Sequence, residues 1–299
     1  MKLRLFAALF VLLAAASPSL AKDRALPSPA LWRVADADSE IYIFAAAPFL
    51  PAGEAWRSRA VAAAIDRAET IWFEAPSADP AAQAAAAKIF QNAGRYPEGR
   101  SLSEALGDNS ASSLASATQA VGADPAAIDA LKPWAAFVVL SAELDRKRGA
   151  DPAAGVEAGV LLEAIGRQRP VKFLDTVEGA LSVLTEMPES DQRALLGHLL
   201  ADWPRQDERA PGVYESWRAG DTEALVAEAQ APLRDAAPAA YDRLVAARAV
   251  ALADKVAALL DLSDEAFVCL GVALIVGEDG IVANLAARGL TVERMDGAP

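Results

Sequence analysis

IYIFAAAPFL (residues 41–50) decides the fold, because it starts as a buried strand and ends without one polar side chain. Ile41 to Phe44 are β-branched or aromatic, the composition of a strand covered on both faces. Three alanines and a proline then follow. Ligands of an α/β sheet sit at the carboxyl ends of its strands. A chemically empty strand end is therefore an observation about function as well as fold.

Two more strand-like runs flank this one, LWRVAD (31–36) and TIWFEAP (70–76). Between the last two lies AWRSRAVAAAIDRAE (55–69), in which Val61, Ile65 and Ala68 recur at helical spacing. The start of the chain thus reads as a β-β-α-β unit. The end reads as another α/β unit: EAFVCLGVALIVGEDG (265–280), the helix IVANLAARG (281–289) and the strand LTVERM (290–295). Between them the chain is alanine-rich and helical, and Ser101-Leu-Ser-Glu104 and Asp124-Pro125 have the side chains of helix starts. DPAAIDALKPWAAFVVLSAELDRKRG (124–149) reads as one helical segment, and RPVKFLDTVEGALSVL (169–184) as a short strand passing into a helix. The expected fold is α/β, with a mixed sheet built from N- and C-terminal strands and a large helical middle.

Residues 1–21 read as a signal peptide. Lys2 and Arg4 precede an apolar run from Leu5 to about Ala16, and small residues follow at Ser19 and Ala21. Residues 22–30 are then a lead segment and 31–296 a single domain, in a periplasmic or secreted protein without an integral membrane span. Removing Lys2 and Arg4 takes the formal charge from −13 to −15. Nucleic acid is not an expected partner, since no basic cluster is present to neutralise a phosphate backbone. The single cysteine, Cys269, lies in an apolar run and reads as a buried small hydrophobe. The six tryptophans read as packing residues.

Four strand ends remain to be compared. Ala45-Ala46-Ala47-Pro48 and Gly271-Val272-Ala273-Leu274 offer no acid, base, nucleophile or metal ligand, whereas Glu74 and Asp175 put carboxylates at the other two. Glu74 reads as a buried acid or as the partner of a basic side chain such as Arg248. Asp175 reads as an N-cap before a helix, and Glu157 as an exposed residue in a helical first turn. The one histidine, His198, sits among leucines in ALLGHLLADW and reads as structural or surface.

The order LWRVADADSEIYIF, TIWFEAP, LKPWAAFVVLSAEL, RPVKFLDTVEGALSVL and FVCLGVALIVGEDGIVANLAARGLTVERM resembles the TraB/GumN family, from about Leu31 to Met295. That family is similar to the Tiki ectodomains, which are metal-dependent proteases. The resemblance implies two G-x-x-H motifs, whose histidines act with acidic residues at a metal-dependent hydrolytic site. Here the first motif falls on Ala45 to Pro48 and the second on Gly271 to Leu274, so both histidine positions are replaced. The family's acid after the third strand is kept as Glu74, its L-E-T stretch is Leu174-Asp175-Thr176, its G-V-D acid is Glu157, and its Arg-Asn pair is Arg248-Ala249.

Proline and leucine supply no metal-ligating atom, and zinc-type ions prefer nitrogen or sulfur donors. The expected protein is accordingly an exported, catalytically inactive family member without a metal or other cofactor. It would act as an accessory factor for an unknown protein or small-molecule ligand. The alternative is a metal-dependent or carboxylate-based hydrolase that uses Glu74, Asp175 and Glu157.

Overall fold

The computed structural model describes residues 27–47, 50, 55–262 and 264–295. Among the described residues six strands form one sheet: β1 (Leu31–Ala35), β2 (Glu40–Ala46), β3 (Thr70–Phe73), β4 (Val171–Phe173), β5 (Glu265–Gly271) and β6 (Val292–Arg294). Their order across the sheet is β4-β3-β5-β2-β1-β6. Strands β4, β3, β5 and β2 run parallel, while β1 is antiparallel to both its neighbours. The sheet is mixed, and terminal strands meet in it as the sequence implies.

The parallel block places four carboxyl ends side by side, and register aligns their side chains. Phe44 pairs with Cys269, which pairs with Phe73, which pairs with Phe173. Ile41, Ile43, Phe44, Phe267 and Cys269 are fully buried, as their unbroken apolar runs require. Between β1 and β2 the chain reverses on Asp36, whose Oδ1 accepts the N–H groups of Asp38 and Ser39.

Among the described residues two apolar clusters form the core. One surrounds the sheet, and the other is made by helices of the middle of the chain around Trp134, Leu140, Leu196 and Tyr241. Ser101 and Glu104 make a reciprocal capping box, and Asp124 caps a short helix that has Pro125 in its first turn.

The structure corrects the reading of residues 124–149 as one segment. Helix Pro125–Asp129 stops, and a second helix, Pro133–Lys147, begins with proline in its first turn. Proline lacks the N–H needed to continue a helix but is tolerated at its start. Two further helices, Asp108–Val121 and Gln206–Ala219, carry no clear sequence signal. The first is rich in serine, and the second contains Pro211. The signal peptide expected at residues 1–21 lies outside the described residues. Among the described residues no helix is long and apolar enough to cross a membrane.

Candidate functional site

The chain leaves β3 directly into Glu74 and leaves β4 through Leu174 into Asp175. The strand ladder persists past both ends: the Leu174 N–H donates to Phe73 O at 2.9 Å and the Asp175 N–H to Glu74 O at 2.8 Å. Two carboxylates are thereby fixed next to each other. Opposite them stands helix Ala247–Ala257, whose second residue is Arg248. Arg248 Nε and Nη2 donate to Glu74 Oε1 at 3.1 and 2.8 Å, and Nη1 donates to Asp175 Oδ2 at 2.6 Å. Lys255, two turns later on the same helix, puts its Nζ 3.5 Å from Asp175 Oδ1.

All three principal side chains are largely withdrawn from solvent, at 7% exposure for Arg248, 19% for Glu74 and 14% for Asp175. Burial opposes the charge on Arg248, but the charge and hydrogen bonds of the two carboxylates more than compensate and raise its pKa. Burial also works against the Asp175 carboxylate. The Arg248 hydrogen bond, the Thr176 N–H and the nearby cations outweigh it and hold its pKa below the usual value.

Glu157 lies in the first turn of helix Val156–Gly166. Burial, with the charge of Glu74 adding to it, pushes its pKa up to about 7. The exposed position read from sequence is corrected: Glu157 is half-buried and close enough to Glu74 to feel its charge. Cys269, fully buried on β5, has its thiol pushed well up by burial and by Glu157, so it stays a neutral packing group.

The N-cap reading of Asp175 is also corrected. Thr176 is the N-cap of helix Val177–Thr185, accepting the Gly179 N–H, while Asp175 Oδ1 accepts the Thr176 N–H at 2.8 Å. Asp175 is therefore free to turn its other oxygen to Arg248. Gly179 makes room for it, since a Cβ there would stand 2.3 Å from Asp175 Oδ1.

The other two strand ends are closed by apolar packing. Ala45, Ala46 and Ala47 are fully buried, and Trp217 on helix Gln206–Ala219 donates its Nε1–H to Ala45 O at 2.8 Å. The Val156 N–H donates to Ala47 O at 3.3 Å. Pro48 lies outside the described residues. After β5, Gly271 leads into the helical turn Val272–Ile275, where Leu274 is fully buried. Gln230, itself buried, holds that turn by donating to Ala273 O at 2.7 Å and Val276 O at 3.0 Å.

The structure thus brings together Glu74, Asp175, Arg248 and Glu157, and it places His198 elsewhere, half-buried on helix Glu189–Asp202. Lys255, Trp217 and Gln230 are site neighbours that sequence reasoning did not assign. Only Lys255 carried a usable signal, its seven-residue spacing from Arg248 on one helix face. Among the described residues no group of three or more His, Cys, Asp or Glu is arranged to hold a metal ion.

Comparison with curated proteins and with solved structures returns no match. The model of the TraB/PrgY/gumN family, in contrast, matches residues 30–294, a span that holds the whole sheet and every residue of this constellation, and the chain belongs to that family.

Proposed function

We propose that this chain is an exported, periplasmic or secreted family member that binds a ligand or partner as an accessory factor and does not hydrolyse. The observation that carries this reading is Arg248, which engages both strand-end carboxylates with three hydrogen bonds. A metal ligand needs an oxygen lone pair facing an open cavity. Here Glu74 Oε1 and Asp175 Oδ2 face a guanidinium, and Asp175 Oδ1 is shared by the Thr176 N–H and Lys255. Leu274 offers hydrocarbon where the family resemblance implies a histidine. The donor set does not fit the divalent ion that the family implies.

What remains suits recognition. Glu157, with a pKa of about 7, can donate or accept a hydrogen bond near neutral pH. It stands beside a fixed ion pair, and fixed polar groups orient a ligand without reorganisation. The leader of residues 1–21 supports export.

The test is elemental analysis of the mature protein purified without chelator, beside a Pro48→His/Leu274→His variant. The natural protein is expected to carry no stoichiometric metal and the variant to gain it. About one metal ion per natural chain would overturn the reading and return Glu74, Asp175 and Glu157 to candidacy as ligands.

A further inference from the structure

Helix Pro133–Lys147 buries one stripe of side chains, Trp134, Val138, Ser141 and Asp145, at the intervals of a helical core face. The first two are apolar and suit the helical cluster that they enter. The last two are polar, with Ser141 fully buried and Asp145 only 2% exposed. Among the described residues no group hydrogen-bonds to Ser141 Oγ or to Asp145 Oδ1. A carboxyl withdrawn from water, with an oxygen that no donor reaches, is poorly placed to carry its charge.

Burial pushes the Asp145 pKa up to about 7, although Arg148 at the C-cap of the same helix favours the carboxylate. On that helix Glu143 and Arg146 pair with each other at 2.7 Å, and Lys147 is exposed. Helices Asp108–Val121 and Glu189–Asp202 pack against it. Of the titratable groups on those two helices Asp202 is the buried one, and it stands 3.5 Å from the Arg205 guanidinium. Asp108, Glu189, Asp191, Arg193 and His198 are half-buried or exposed.

We propose that Asp145 is a pH-sensitive latch of the helical cluster: its neutral carboxyl keeps the C-terminal half of helix Pro133–Lys147 packed, and its ionisation loosens that half. Hydrocarbon at positions 141 and 145 would hold the helix equally at every pH, whereas a buried carboxyl ties the packing to a proton. An unfolded aspartate ionises near pH 4. Asp145 keeps its proton in the fold until about pH 7. Its stabilising contribution is therefore fully present below about pH 4 and is lost as pH rises through about 7. Asp175, whose pKa is lowered, has the opposite dependence. The latch lies outside the strand-end site and does not depend on the binding role proposed there.

Asp145→Asn keeps the shape of the side chain and cannot ionise. Urea unfolding of natural protein and variant at pH 5 and pH 8 isolates Asp145, because every other group titrates in both. The natural-to-variant ratio of unfolding equilibrium constants is expected to rise about a hundredfold from pH 5 to pH 8, roughly tenfold for each unit below the folded midpoint. A rise below about threefold overturns the proposal. The carbon-13 signal of the Asp145 carboxyl reads the folded natural protein without any variant, and it is expected to titrate near pH 7; a midpoint below about 5 overturns the proposal. Amide exchange, corrected for its intrinsic pH dependence, locates the loosening. From pH 5 to pH 8 the amides of residues 142–147 are expected to lose at least tenfold of their protection in the natural protein and to keep it in the variant, and equal loss in both, or none in either, overturns the latch.

Discussion

Arg248 has a formal charge opposite to each of its two partners, and its removal shows what the constellation is for at the scale of one residue. Breaking a buried ion pair by deleting one partner costs more than the pair contributes, because a carboxylate is left uncompensated in a poorly solvated place. Arg248→Met keeps much of the side-chain volume and strands both Glu74 and Asp175. The expected loss at pH 7 is about 3 kcal/mol in urea unfolding. Its pH dependence has a definite sign. The folded pKa of Asp175 is depressed, so its contribution is present above the unfolded value of about 4 and disappears as pH falls through the folded value. The stability gap between natural protein and variant should therefore narrow below pH 4. A gap that stays constant down to pH 2 would mean that Arg248 acts through packing alone.

At the scale of elements, legibility followed the strength of local physics. The terminal strands were legible because Ile41 to Phe44 and Phe267 to Leu270 are unbroken apolar runs, and the Ser101 capping box was legible because its spacing is fixed by helix geometry. The partnership of Glu74 with Arg248 was legible only as one of two options, since 174 residues separate the two in sequence. Helix Gln206–Ala219 was not legible at all. Pro211 and Gly212 together signal a break, yet tertiary packing of Val213, Tyr214 and Trp217 against the sheet cluster overrides the local preference. That unread helix decides the chemistry of the β2 end, because Trp217 both covers it and satisfies the Ala45 carbonyl. Trp217→Phe keeps most of the ring and removes the donor, leaving a buried carbonyl unpaired. An unfolding titration should register a loss of about 2 kcal/mol; a loss below a few tenths would mean that another donor reaches Ala45.

For the whole molecule the open matter is whether two apolar clusters make one folding unit. The sequence suggests a single domain, whereas the clusters divide into one around the sheet and one among helices. A helical run crosses the boundary between them. Leu244 and Val245, in the π-helical turn Asp242–Ala246, belong to the helical cluster, and Ala249 and Leu252, on helix Ala247–Ala257 directly after it, belong to the sheet cluster. Arg248 stands at that crossing, so the ion pair, the sheet and the helical cluster share one rigid element. Loss of packing on one side must then weaken the other. Leu252→Ala removes a fully buried side chain from the sheet side and should destabilise the protein by about 3 kcal/mol. Native-state hydrogen exchange reads where that loss appears. With one cooperative unit, the amides of β5 and those of helix Pro133–Lys147 lose protection by the same free energy. If β5 alone becomes labile and Pro133–Lys147 keeps its protection, the clusters are separate units, and Arg248 is a hinge between them rather than a shared support.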